Sequence, residues 1–142
     1  MRKLVEALRN RFFPRADTVL IAEPDLTLGR LECRALSPEY QIVQAFSGEE
    51  AVRIAARHET PLDLLLTEVR LPRMDGWELS ELLKLDYPNL KVVYLSSFVD
   101  AAVKAHTRPS KIIVLEKSRF SPSRLRRAVH ETLESGKHSR VA

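Results

Sequence analysis

From Thr18 onward the apolar residues of this chain alternate between two patterns, and that alternation limits the folds open to it more than any other feature. Short unbroken apolar runs, Thr18 to Ala22, Gln41 to Ala45, Leu62 to Thr67, Lys91 to Ser96 and Lys111 to Leu115, are separated by longer stretches of helical spacing. Continuous runs belong to strands buried on both faces, and intervening helices are what bury them. The class this implies is α/β with a five-stranded parallel sheet. At 142 residues the chain suffices for one such domain and not for two.

The helical stretches carry their own punctuation. Leu26 to Leu36 and Glu49 to Arg57 have helical spacing, and Ser47 with Glu50 three residues on forms a capping box. Asp75 to Leu85 sets Trp77, Leu79, Leu82, Leu83 and Leu85 mainly on one side. Val99 to Thr107 is a short fourth helix cut off by Arg108-Pro109. The last helix opens at Ser121-Pro122-Ser123 and buries Leu125, Val129 and Leu133, with a flexible basic tail expected over 135–142. Ahead of the repeat, residues 1–16 hold an extra amphipathic helix, Arg2 to Phe13, with Leu4, Val5, Leu8 and Phe12 on one side. The domain proper is expected over 17–134.

Charge is distributed unevenly. Residues 1–15 carry five basic and one acidic residue, residues 117–142 seven basic and two acidic, and the stretch between is net negative. Such ends can mark a nucleic-acid or membrane contact, although terminal charge runs are more often solvated faces, and for nucleic acid there is no helix-turn-helix and few aromatics stand among the arginines. Nucleic acid therefore ranks well behind a protein partner. No run is long enough to span a bilayer and no secretory signal opens the chain, so a cytoplasmic location is expected. The single cysteine, Cys33, reads as a core thiol, and the four histidines have no metal-ligand spacing.

In a sheet of this kind function gathers at the carboxyl ends of the strands. Those ends read Glu23-Pro24-Asp25, Thr67-Glu68-Val69, Ser96-Ser97 and Glu116-Lys117-Ser118, and the third strand is followed by Leu71-Pro72-Arg73-Met74-Asp75-Gly76-Trp77-Glu78-Leu79. With the order of elements, this loop closely resembles that of the receiver domain of bacterial two-component response regulators. The resemblance runs from about Thr18 to Glu134 and is carried most specifically by Pro72, Asp75 and Gly76. It implies a doubly wound, flavodoxin-like fold. It also implies a phosphoacceptor aspartate at the end of the third strand, Mg²⁺ held by an acidic pair at the end of the first, and a lysine and a hydroxyl that hold the phosphate.

Matched position by position, the lysine is Lys117 and the hydroxyl is Ser96. The phosphoacceptor position holds Glu68. The acidic pair is reduced to Glu23 followed by Pro24, which has no side-chain oxygen to offer a metal, with Asp25 one residue further on. The aromatic reporter position holds Val114, and Ser118 stands where a proline usually follows the lysine, so a trans peptide is expected.

Glu68 has two open readings, a fixed imitation of the phosphorylated state or a remnant held by Lys117 in a structural ion pair. The expectation is a degenerate, stand-alone receiver that signals without phosphorylation, is not an enzyme and needs no Mg²⁺. Its partner would be a protein, a histidine kinase or a separate output protein. A homodimer through the N-terminal helix or through the fourth-helix, fifth-strand and fifth-helix face is a further option. A conventional phosphoacceptor using the residual acids and a nucleic-acid-binding regulator using the basic ends are the alternatives. The Leu4, Leu8 and Phe12 stripe becomes a dimerisation or docking surface if its own domain does not cover it; of these options a membrane surface ranks last.

Overall fold

A computed structural model describes residues 1–12, 16–59, 61–97 and 114–138. In chain order the elements are α1 (Arg2–Phe12), β1 (Thr18–Ala22), α2 (Leu26–Leu36), β2 (Gln41–Ala45), α3 (Gly48–Arg57), β3 (Leu64–Glu68), α4 (Gly76–Asp86), β4 (Lys91–Ser96), β5 (Val114–Glu116), a 3₁₀ turn (Lys117–Arg119) and α5 (Pro122–His138). The strands form one sheet in the order β2-β1-β3-β4-β5, and every neighbouring pair is parallel.

The unbroken apolar runs of β1 and β3 make them the central strands, and every residue of both is buried. Successive side chains on a strand point to opposite faces, so each run feeds two cores. Leu20, Ala22 and Leu65 pack with Ala51, Ala55, Leu79 and Leu83 under α3 and α4. Val19, Ile21, Leu64 and Leu66 pack with Leu36, Leu125, Val129 and Leu133 under α2 and α5. Each fully buried leucine contributes roughly 1.5–3 kcal/mol, which makes these layers the main stabilising term.

The caps account for the helix starts. Ser47 Oγ accepts the Glu50 N–H at 3.1 Å, and Glu50 Oε2 in return accepts the Phe46 N–H at 3.0 Å. Asp25 and Asp75 cap α2 and α4, accepting the N–H groups of Leu28 and Glu78 at 3.0 and 2.8 Å. Ser121 Oγ accepts the Arg124 N–H at 3.2 Å and opens α5.

Several bounds depart from the sequence reading: α3 begins at Gly48 rather than Glu49, α4 runs Gly76–Asp86 rather than Asp75 to Leu85 and leaves Leu82 and Leu85 exposed, and β5 ends at Glu116 rather than Leu115. The third strand is Leu64–Glu68 rather than Leu62–Thr67: Asp63 is tied crosswise to Thr18, its carboxylate accepting the Thr18 N–H at 2.8 Å, while Glu68 still pairs in register with Leu95. The last helix does not loosen after Leu133 but continues to His138, so the expected tail over 135–142 begins as helix. The Val99 to Thr107 helix and Lys111 to Ile113 lie outside the described residues, as does Phe13 at the end of the N-terminal helix.

The chain leaves β1 for the sheet edge at β2 and then crosses back to β3, so the connections from the carboxyl ends of β1 and β3 diverge to opposite faces. That divergence opens the crevice in which doubly wound sheets place their sites.

Candidate functional site

Glu23 directly follows β1, and its N–H donates to the Ala45 carbonyl at 3.1 Å, which carries the β1–β2 pairing one residue beyond the strand. Glu68 is the last residue of β3, and Lys117 opens the turn after β5. The three side chains meet in the crevice. The Lys117 ammonium lies 2.8 Å from Glu23 Oε1 and 2.6 Å from Glu68 Oε2, and both carboxylates are buried. Glu68 Oε1 turns back to accept the Arg70 N–H at 3.2 Å.

One cation therefore serves two buried carboxylates. Burial works against the charge on Lys117, but hydrogen bonding and attraction from Glu23 and Glu68 outweigh it and hold its pKa above the usual 10.5. Glu23 is pushed upward by burial more than Lys117 pulls it down. Its second oxygen, Oε2, has no hydrogen-bond partner among the described residues.

A fourth residue, Glu32, escaped the sequence reading. It lies on the inner face of α2 at 1% exposure, and its Oε1 likewise has no hydrogen-bond partner among the described residues. Burial, reinforced by the charges of Glu23, Glu68 and Asp25 against the opposing Lys117, raises its pKa to about 9, so Glu32 is protonated at neutral pH. A signal existed in the spacing: Gly29, Glu32 and Leu36 fall at i, i+3 and i+7, and all three are buried. Leu26 and Leu31 of the same helix are exposed, so hydrophobicity alone does not mark its inner face.

The remaining expected residues divide between the crevice and its approach. Ser96 ends β4 and is buried, whereas Pro24 is exposed and Asp25 is engaged as the α2 cap. The Pro72 to Gly76 loop is held by its own geometry. The Met74 N–H donates to the Pro72 carbonyl at 2.7 Å around Arg73, whose φ of 65° is a left-handed conformation uncommon for a residue with a side chain. The Arg73 guanidinium pairs with Glu49 at 3.1 Å. At Gly76 an added Cβ would come within 2.5 Å of the Glu68 carbonyl oxygen, so only glycine lets α4 start this close to the end of β3.

Trp77 packs on Tyr94 with ring centroids 3.9 Å apart, and Tyr94 Oη donates to Ser80 Oγ at 2.9 Å, in keeping with a packing role for the tryptophan. Val114 pairs in register with Tyr94, its side chain lying outside what is described. The peptide before Ser118 is trans, as expected.

A divalent cation such as Mg²⁺ needs several oxygen ligands in a near-octahedral set. The donors here do not fit it. Pro24 contributes no side-chain oxygen, Asp25 is spent on Leu28, and one oxygen each of Glu23 and Glu68 already faces Lys117. Among the described residues no group of three or more acidic, histidine or cysteine side chains is arranged to hold a metal.

A doubly wound parallel sheet of order 2-1-3-4-5, with acids after β1 and at the end of β3, a hydroxyl ending β4 and a lysine after β5, defines the receiver class of signalling domain. The model of the response regulator receiver domain matches residues 19–130, and the chain belongs to that family. Among curated proteins it is 31% identical over 115 residues to the response regulator receiver protein CpdR of Brucella abortus, covering 80% of this chain and 91% of that one. It is also 34% identical over 90 residues to the DNA-binding transcriptional regulator NtrC of Proteus hauseri, covering 62% of this chain and 19% of NtrC. It is 32% identical over 119 residues to the sensor kinase CckA of Brucella abortus, 82% of this chain and 12% of CckA. The chain thus spans less than a fifth of the length of those larger proteins. A response regulator receiver protein from Sinorhizobium medicae superposes with a TM-score of 0.75 at 24% identity over 85% of this chain and 97% of its own. A two-component transcriptional regulator from Clostridium phytofermentans does so at 0.73 and 27%, over 88% and 98%.

Proposed function

We propose that this receiver domain signals by protein–protein contact without being phosphorylated, with Glu68 standing where the family's phosphoacceptor aspartate stands. The observation that carries the reading is the bridge: the Lys117 ammonium sits between Glu23 and Glu68, so the site's own lysine occupies an oxygen of each carboxylate that elsewhere in the family would serve the metal and the phosphoryl group. Phosphoryl transfer depends on a metal and an aligned nucleophile, and the donor set after β1 lacks one of its two acids. In this reading Mg²⁺ is not a cofactor, the domain is not an enzyme, and its partner is a histidine kinase or a separate output protein met in the cytoplasm.

The bridge also favours one reading of Glu68. A carboxylate held within 2.6 Å of Lys117 at the end of β3 keeps the lysine drawn toward the place where a phosphate would hold it, the arrangement of a fixed switch. Incubating the full chain with acetyl phosphate and Mg²⁺ and measuring intact mass tests the proposal. The expected result is an unmodified mass, and a stoichiometric phosphoryl adduct localised to Glu68 would overturn it.

A further inference from the structure

Among the described residues, the apolar stripe of α1 is the one helix stripe that the fold leaves uncovered along its whole length. On α3, α4 and α5 the alanine, leucine and valine side chains at helical spacing reach the two cores. On α1, Leu4 is 62% exposed, Val5 58%, Leu8 46% and Phe12 69%. These four fall within a stripe about 100° wide on a helix of 3.6 residues per turn. Arg2 borders it on one side and Arg11 on the other, both exposed, and Arg11 lies 5.9 Å over the Phe12 ring. Lys3 is exposed on the far face. With Arg9, Arg15 and the single acid Glu6, residues 1–15 are net +4.

We propose that α1 is a docking helix for an anionic lipid surface, lying in the interface with Leu4, Val5, Leu8 and Phe12 in the acyl boundary and its basic residues among the headgroups. Charge selects the occupant. A second copy would bring two +4 segments together with arginines bordering both stripes, so like charges oppose pairing at the seam. An anionic bilayer satisfies both halves of the helix at once, taking the apolar stripe while its headgroups meet the bordering arginines, which reach outward with their stems along the apolar surface. No helix among the described residues is long and apolar enough to cross a membrane, so the association is peripheral. A single short helix binds weakly and reversibly, and the electrostatic share of that binding is screened by salt. The uncovered stripe and its basic borders thus put first the membrane surface that sequence alone ranks last.

Co-sedimentation of the full chain with vesicles of phosphatidylglycerol and phosphatidylcholine, beside vesicles of phosphatidylcholine alone, reads this out. The chain is expected on the anionic vesicles only, with binding lost at high salt. Two double variants separate the contributions: Leu8→Asp with Phe12→Asp removes the apolar face, and Lys3→Glu with Arg11→Glu lowers the bound-to-free ratio about tenfold or more. Both alter exposed positions away from the cores, and an unchanged thermal melt verifies folding. Failure of the intact chain to bind anionic vesicles overturns the proposal, as does binding that survives Leu8→Asp with Phe12→Asp. A lipid-free dimer in light scattering that the same variant dissolves overturns it in favour of self-association.

Discussion

The crevice at the strand ends and the loop that follows β3 are adjacent in the fold, yet they have fared differently. The loop keeps the residues by which the family is recognised, and these residues shape the chain. Asp75 caps α4, Gly76 permits its close approach to β3, and Leu71 is buried in the core. In the reading proposed above, the crevice keeps its lysine and its hydroxyl, while Pro24 and Glu68 stand where the metal and the phosphoryl group would need acids of particular length and place. The presence of the loop is therefore evidence for the fold and says little about phosphotransfer.

The sharpest way to break this contrast is to remove the shared cation. Lys117→Met leaves Glu23 and Glu68 buried beside each other without a counter-charge, and it should cost about 3 kcal/mol or more in urea unfolding. Adding Glu23→Gln and Glu68→Gln to it should recover most of that loss, because the uncompensated charges go with their partner. If Lys117→Met alone is neutral, the bridge is not what holds the crevice.

The loop should respond nearly as strongly through geometry rather than charge. Gly76→Ala forces a Cβ against the Glu68 carbonyl oxygen, and overpacking of this sort costs about 1–3 kcal/mol despite alanine's better helix propensity. Denaturant midpoints for Gly76→Ala and Asp75→Ala, the latter expected to lose about 1 kcal/mol with its cap, would show whether the motif is structural.

Glu32 gives a pH test of the crevice. Its pKa is about 9 in the fold against 4.5 when unfolded, so between those values the native state holds a proton that the unfolded state has released. By linkage, stability then falls as pH rises from about 4.5 to about 9, and Glu23, also shifted upward, adds in the same direction. Lys117, whose folded pKa is also raised, contributes stability that is fully present below 10.5 and lost only as pH climbs through its raised value. Glu32→Gln, neutral and of the same shape, should raise the thermal midpoint by a few degrees at pH 8, the gain shrinking to nothing near pH 4.5. An equal gain at both pH values would mean that Glu32 is not the titrating group.

Much of the fold was legible because the strands are buried on both faces and say so in unbroken apolar runs; β1, β2 and β4 appear with the bounds their residues announce. Edges were less legible where tertiary contacts decide them. Asp63, bound across to Thr18, delays β3, and the last apolar residue at helical spacing, Leu133, does not mark the end of α5, which continues to His138. In the site, Glu23, Glu68, Ser96 and Lys117 could be placed at strand ends from order alone. That Lys117 contacts both acids required their positions in space, and the burial of Glu32 showed only in its spacing with Gly29 and Leu36.

The measurement that bears most directly on the bridge is the side-chain nitrogen resonance of Lys117, followed through a pH titration and a Mg²⁺ titration. An ammonium held by Glu23 and Glu68 should stay charged past pH 10.5 and keep its shift as Mg²⁺ rises into the millimolar range. A saturable movement with Mg²⁺ would show a metal displacing the lysine from the two carboxylates, and the account of a crevice closed to phosphotransfer would fail.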